Sequence, residues 1–244
     1  MRVVFLNGWA ASLKMQVRLK QFLPPDYELL ILDDLYQFDL EGIVSKIDEM
    51  MIPDTILIGW SLGGMLALYY AHVCKGAHQP KGLIVLNASL CFLEKPDFHG
   101  GVKCADFNKL KELVQEENTQ AFLRVFKHLL VTGSASIKED RHFLAPIFNA
   151  NSLPEWRVLS KGLHYLKNLD LRETLNSIES NILFIFGEND VLVNAAVNQN
   201  LLDTKVNADV ATIPNMGHFP FGFYAKELVE IIVRYISAQE IGKS

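Results

Sequence analysis

The sequence predicts an α/β protein, a mostly parallel sheet with helices on both faces, interrupted by one long helical insertion. Three observations carry this. Short aliphatic and β-branched runs recur at residues 2–6, 29–32, 55–58, 83–86, 182–186 and 210–213. Each is close to continuously apolar, the pattern of strands covered on both sides. Helix-length segments at 13–23, 40–51 and 62–74 separate the first four, giving the strand, helix, strand rhythm of a parallel sheet. That rhythm stops after residue 86 and resumes only at residue 182.

Within the gap, residues 108–114, 119–130, 139–148, 154–166 and 170–178 place apolar side chains at helical spacings of three and four. Gly100, Gly101, Gly133, Pro146, Pro154 and Gly162 punctuate them. Residues 91–170 are therefore expected to form a helical lid or cap, inserted into a core made of 1–90 and 171–244. No repeat, low-complexity tract or linker separates the two, so the insertion should pack on the core. Charge supports some division of labour. Residues 91–172 hold 12 Lys and Arg against 10 Asp and Glu, and the rest of the chain holds 11 against 18.

Composition excludes several classes. Of 244 residues, 50% are hydrophobic, enough apolar surface to offset the entropy of ordering the chain. A net charge of −5 argues against a general nucleic-acid binder, which needs excess Lys and Arg to neutralise phosphates. No apolar run approaches the ~20 residues of a membrane-spanning helix. Met1 to Leu6 enter a strand directly, without the features of a signal peptide. Cys74, Cys91 and Cys104 form no paired framework and no CxxC, so a cytoplasmic location is expected.

The sharpest chemical signal is Gly59-Trp60-Ser61-Leu62-Gly63, followed by Gly64. It lies where a strand ends and a helix begins, the context of a nucleophile elbow. The turn is so tight that side chains at 59 and 63 would strike neighbouring backbone, and it pushes the Ser61 hydroxyl into the open. The Leu62 amide then points at the oxygen that becomes negative during attack on a carbonyl. The plainer alternative is a glycine-rich turn serving only close packing.

A nucleophilic serine needs a base and a group to orient it, and in this architecture the chain order is nucleophile, acid, histidine. Asp190 follows the strand at 182–186, and His218 follows the strand at 210–213. Both would sit at the carboxyl edge of the sheet, where open α/β sheets bind ligands. Glu188 is the rival acid. His72, His78, His99, His128, His142 and His164 lie in the first core helix, the loop after it or the insertion. A second oxyanion donor should come from the loop after the first strand, Asn7-Gly8-Trp9-Ala10-Ala11, which makes the Trp9 amide the candidate. Its indole would wall the acyl pocket. There is no HExxH, no Walker A sequence and no GxGxxG after the first strand, so neither metal nor cofactor is expected.

Taken together, these segments resemble the α/β-hydrolase superfamily over essentially the whole chain. Further matches are Ala88-Ser89-Leu90-Cys91-Phe92, Gly162-Leu163 leading to Leu169-Asp170-Leu171-Arg172, Gly187 with Asp190-Val191-Leu192-Val193, and Gly217-His218-Phe219-Pro220-Phe221. These are similar to the methyl ester esterases of biotin biosynthesis that act on pimeloyl-acyl carrier protein. The resemblance implies the α/β-hydrolase fold with Ser61, Asp190 and His218 as a catalytic triad and Trp9 and Leu62 as oxyanion amides. It also implies substrate contacts from Trp9 and from the 126–130 segment, Phe126 and Leu130 included. Acyl carrier protein would be the partner, docking on basic residues of the lid, for which Arg124, Lys127, Lys138 and Arg141 are the local candidates. The plainer reading of these four is a solvated helix face. A monomer is expected. Two departures stand out: the amino-terminal hairpin usual in the superfamily is expected to be absent, and Asn7 stands where a histidine commonly precedes the glycine. A short-chain carboxylesterase or thioesterase, a menaquinone-pathway lyase and a non-catalytic receptor for a hydrophobic ligand on the same fold remain alternatives.

Overall fold

The computed structural model describes residues 1–74, 76–196 and 207–241. Within them a single sheet holds β1 (Arg2–Leu6), β2 (Glu28–Leu32), β3 (Ile56–Trp60), β4 (Gly82–Leu86), β5 (Asn181–Gly187) and β6 (Ala208–Ile213). All pairings are parallel, in the order β2-β1-β3-β4-β5-β6. The side chains of β3 and β4 and all but the first of β1 and of β5 are buried. The continuous apolar pattern is thus a property of the central strands. The edge strands β2 and β6 are partly exposed, since each has a neighbour on one side only.

The helices of the core are α1 (Val17–Phe22), α2 (Leu40–Asp48), α3 (Leu62–Val73) and α8 (Ala225–Ile241). Strand β4 shows that they cover both faces. At Gly82 a Cβ would lie 3.1 Å from the ring of Tyr235 in α8, while a Cβ on Gly64 of α3 would lie 3.3 Å from the Val85 side chain. Positions 82 and 85 project to opposite sides of a strand. Helix α3 is apolar almost all round and nearly wholly buried, the signature of a core helix. The 13–23 segment opens as a 3-10 turn, Leu13–Gln16, before α1.

Between β4 and β5 run α4 (Cys104–Gln115), α5 (Thr119–Val131), α6 (Ile137–Ile147) and α7 (Trp156–Asn168). In α5 the apolar stripe of Phe122, Leu123, Phe126 and Leu130 is buried, and the side chain of Asn118 caps its first turn by accepting from the Ala121 amide. The chain leaves the core and returns to it at one place, where Cys91 and Asp170 form an antiparallel bridge and the Leu171 amide donates to Leu90 O at 2.7 Å. The expected helix at 170–178 is not formed. Only a 3-10 turn, Leu175–Ser177, appears there. The Asp170 carboxylate instead accepts from the backbone amide and guanidinium of Arg172 and from Lys95 Nζ. Such local side-chain bonds compete with helical ones. They also hold the Asp170 carboxyl well below the usual carboxylate range.

This strand order fixes where a ligand can lie. The chain moves outward from β1 to β2, then crosses back to β3 on the other side of β1. The carboxyl ends of β1 and β3 therefore bracket the switch point at which open α/β sheets leave a crevice. Among the described residues no helix is long and apolar enough to cross a membrane.

Candidate active site

Ser61 stands at the carboxyl end of β3, between strand and helix. Its amide continues the ladder by donating to Leu86 O, and its carbonyl accepts from the Gly64 and Met65 amides. The backbone between these commitments is left at φ 55°, ψ −123°, a conformation that L residues rarely adopt. The glycines around it make the turn possible. A Cβ on Gly63 would lie 2.2 Å from Leu6 O, and one on Gly59 2.3 Å from Gly63 O.

Asp190 and His218 come from the loops after β5 and β6. The His218 Nδ1–H donates to Asp190 Oδ2 at 2.7 Å, which leaves Nε2, 3.0 Å from Ser61 Oγ, to accept the serine proton. The other carboxylate oxygen, Asp190 Oδ1, accepts from the Leu192 and Val193 amides at 2.8 and 3.0 Å. Asp190 is thereby fixed as an acceptor, and both it and His218 are buried. Glu188 instead accepts from the Asn215 amide. The three side chains form one bonded line from a buried carboxylate to a hydroxyl at the cleft.

Asn87 and Trp60 brace this line, and neither was singled out by sequence. Asn87, buried at the end of β4 with φ 43°, accepts from the Gly187 amide and donates from Nδ2 to the carbonyls of Gly217 and His218. One side chain thus ties the acid loop to the histidine loop. The Trp60 indole donates to His218 O at 3.1 Å. The insertion contributes too: the Phe219 amide donates to Leu130 O at the end of α5, and the Asn189 side chain donates to Gly133 O.

The loop after β1 lies directly on the serine turn. A Cβ on Gly8 would meet the Trp60 ring at 2.8 Å, and the carbonyls of Leu6 and Asn7 are what a Gly63 Cβ would strike. The Leu62 amide heads α3 and the Trp9 amide sits mid-loop; among the described residues neither donates to a protein acceptor. Asn7 is fully engaged. Its Oδ1 accepts from Gly8 N and Gln16 Nε2, and its Nδ2 donates to Asp33 Oδ1. Burial, aided by the neighbouring Asp34, pushes the Asp33 carboxyl up to about 6.

A narrow apolar cleft opens on Ser61 and His218, with walls that include Trp9, Trp60, Phe126, Leu130, Phe92 and Leu192. Its volume is about 30 Å³, room for one or two waters. The Trp9 indole stands edge-on to Phe126 and Phe122 and donates to Leu159 O in α7. Trp9, Phe126 and Leu130 are therefore brought together beside Ser61. Among the described residues, none of the other six histidines lines the cleft. Of the four basic residues of the insertion, Arg124, Lys127 and Arg141 line one surface groove between α5 and α6, with His128. Lys138 is exposed in the first turn of α6 and is not part of that lining.

Comparisons with known proteins agree with this architecture. The model of the Alpha/beta hydrolase family matches residues 3–231. A pimeloyl-acyl-carrier-protein methyl ester esterase of Xylella fastidiosa (strain M12) is 28% identical, over 96% of this chain and 94% of that protein. Its counterpart in Wigglesworthia glossinidia brevipalpis is 30% identical, over 90% and 87%. Among solved structures, an esterase from Exiguobacterium antarcticum superposes with a TM-score of 0.80 at 18% identity, over 97% of this chain and 92% of that one. With its parallel sheet, its serine turn at the end of β3 and a family match that spans nearly its whole length, the chain belongs to the alpha/beta hydrolase family.

Proposed function

We propose that this chain is a serine carboxylesterase that hydrolyses the methyl ester of pimeloyl-acyl carrier protein, giving pimeloyl-acyl carrier protein and methanol in biotin biosynthesis. The observation that carries the chemistry is the bonded line Asp190, His218, Ser61 opening on an apolar cleft. The substrate class rests on relatives of that name, similar over nearly the whole length of both chains.

In this reading Ser61 Oγ attacks the ester carbonyl while His218 Nε2 takes its proton, and the Asp190 carboxylate stabilises the imidazolium. The carbonyl oxygen becomes an oxyanion and accepts from the Leu62 and Trp9 amides. The tetrahedral adduct collapses, the bond to the methoxy oxygen breaks, and His218 returns the proton so that methanol leaves. Water, deprotonated by the same histidine, then hydrolyses the acyl-enzyme. The protein needs no group beyond its own side chains and amides for these steps.

Residues 91–170 act as a lid. A cleft of about 30 Å³ cannot hold a seven-carbon acyl chain, so the helices over Ser61 separate when substrate enters. Trp9, Phe126 and Leu130 then contact the chain. The groove of Arg124, Lys127 and Arg141, with Lys138 nearby on α6, receives the acidic carrier protein. The enzyme works as a monomer in the cytoplasm.

The test compares turnover of methyl pimeloyl-acyl carrier protein with that of short nitrophenyl esters, using wild type and Ser61→Ala. The expected result is faster turnover of the carrier-bound ester, abolished in Ser61→Ala with substrate binding retained. Hydrolysis undiminished in Ser61→Ala would overturn the mechanism. Equal or faster turnover of the short esters would leave a general carboxylesterase.

A further inference from the structure

The amides of residues 7–11 are unequally provided for. Asn7 N donates to Leu32 O, Gly8 N to the Asn7 side chain and Ala11 N to Gly8 O. Ala10 N donates to the hydroxyl of Tyr36, at 3.0 Å. That leaves the Trp9 amide, which among the described residues has no protein acceptor. Ala10, the next residue, has φ 56°, in the left-handed region that a residue bearing a Cβ seldom occupies. The loop therefore turns in a disfavoured conformation one residue beyond the Trp9 amide, at the residue whose own amide donates to Tyr36.

Tyr36 is built for this task. It is 1% exposed and lies in the 3-10 turn Leu35–Gln37 between β2 and α2. Its hydroxyl donates to Asp34 Oδ1 at 2.9 Å, which leaves the oxygen lone pairs to face Ala10 N. Burial and the Asp34 charge push the phenol well above the ordinary tyrosine value, so the proton stays on the oxygen. The ring packs where α7 comes closest: a Cβ on Gly162 would lie 2.3 Å from the Trp9 indole and 2.9 Å from the Tyr36 ring. The Lys161 and Tyr165 side chains of α7 also donate to the carbonyls of Gln37 and Phe38. The connector that carries Tyr36 is thus fixed from two sides.

We propose that Tyr36 is a positioning residue of the oxyanion site: its hydroxyl, oriented by Asp34, holds the Ala10 amide and the left-handed turn that aims the Trp9 amide at the carbonyl oxygen attacked by Ser61. The proposal rests on the reading of Ser61 as nucleophile and Trp9 as donor. It adds a residue that touches neither substrate nor the reacting atoms.

The test is Tyr36→Phe, which keeps the ring against Gly162 and removes only the hydroxyl. Turnover of the methyl ester should fall about tenfold to a hundredfold, the scale of a misplaced catalytic donor, with KM within about twofold. Affinity for a trifluoromethyl ketone, which forms an oxyanion adduct on Ser61, should fall by the same factor. Affinity for the corresponding unreactive alcohol should not change. Asp34→Asn keeps an acceptor oxygen and should lower turnover less than Asp34→Gly. Asp34→Gly tolerates the φ of 50° at that position and removes the acceptor, so it should lower turnover in the same manner but less; it also serves if Tyr36→Phe fails to fold. Wild-type turnover and ketone affinity in a folded Tyr36→Phe would overturn the proposal, as would equal weakening of ketone and alcohol. Failure of the underlying reading has a different signature, ester hydrolysis that survives Ser61→Ala.

Discussion

The two backbone amides beside Ser61 are held by opposite means. The Leu62 amide heads α3 after a turn packed so closely that Cβ atoms are excluded at both of its glycines, at Gly59 by the backbone of Gly63 and Gly64 and at Gly63 by the end of β1. The Trp9 amide sits in a loop whose Gly8 meets the Trp60 ring, a side chain, where Gly59 and Gly63 meet backbone. Side-chain hydrogen bonds also hold it: Tyr36 and Asp34 on one side, the loop's own Asn7 with Gln16 and Asp33 on the other. Steric fixation is rigid and demands glycine at set positions, so it leaves a motif in the sequence. Fixation by distant hydrogen bonds leaves none, and it can be loosened one bond at a time.

The strongest way to break this contrast is Gly63→Ala. The added methyl would lie 2.2 Å from Leu6 O and 2.6 Å from Asn7 O, both backbone atoms of a buried strand end that cannot rotate away. Helix α3 and β1 must part, which should cost about 2–4 kcal/mol in stability and lower kcat by at least about a hundredfold through misplacement of Ser61. Thermal unfolding and ester turnover measure the two effects. A variant with wild-type kcat would mean that the turn yields, and the distinction between the two amides would collapse.

A smaller loss is expected from Asn87→Ala, which probes hydrogen-bond fixation in the loops of Asp190 and His218. The substitution leaves the Gly187 amide and the Gly217 carbonyl without the Asn87 side chain in a buried site, and the His218 carbonyl with the Trp60 indole alone. The expected cost is about 2–3 kcal/mol, together with a fall in kcat of about tenfold as the imidazole loses its bearing. Alanine at φ 43° adds strain, so Asn87→Gly is the control for the backbone. If Asn87→Gly unfolds at the wild-type temperature, the three hydrogen bonds contribute nothing net.

The same contrast explains what could be read in the chain. The strands, the serine turn, Asp190 and His218 were legible because each is set by a local rule: an apolar run, a glycine at a forbidden Cβ, a position one loop past a strand. The bracing residues were not. Asn87 reaches groups 100 to 131 residues away, and Tyr36 reaches Ala10 across 26 residues; from sequence each is one polar residue beside a strand. The 170–178 segment was misread for a related reason. Its apolar spacing suits a helix, but Asp170 and Arg172 spend their side chains on each other and on Lys95 and Asp97. In the insertion, the pairing of α5 with α6 decided which basic residues share a groove, bringing in His128 and leaving Lys138 outside.

The subtlest difference between the two amides is electrical. Among the described residues no titratable side chain bonds the backbone of Ser61, whereas the loop of Trp9 rests on Asp33 through Asn7. Burial raises the Asp33 carboxyl from 3.8 to about 6, so between those values the folded protein binds more protons than the unfolded chain. Stability must then fall as pH rises from about 4 to about 6, and the deficit persists above that range. Asp33→Asn removes the charge but keeps an oxygen to accept from the Asn7 side chain and the Asp34 amide, the two bonds that Oδ1 now makes. The variant should match wild type near pH 4 and exceed it above pH 6, by about 1–2 kcal/mol once partial solvent screening is allowed for. That is a rise of a few degrees in Tm for a chain of this size. A difference in Tm that stays constant from pH 4 to pH 8 would mean that the carboxylate is not what limits the loop. A difference that opens across the expected interval would show that the loop of Trp9 rests on a buried charge.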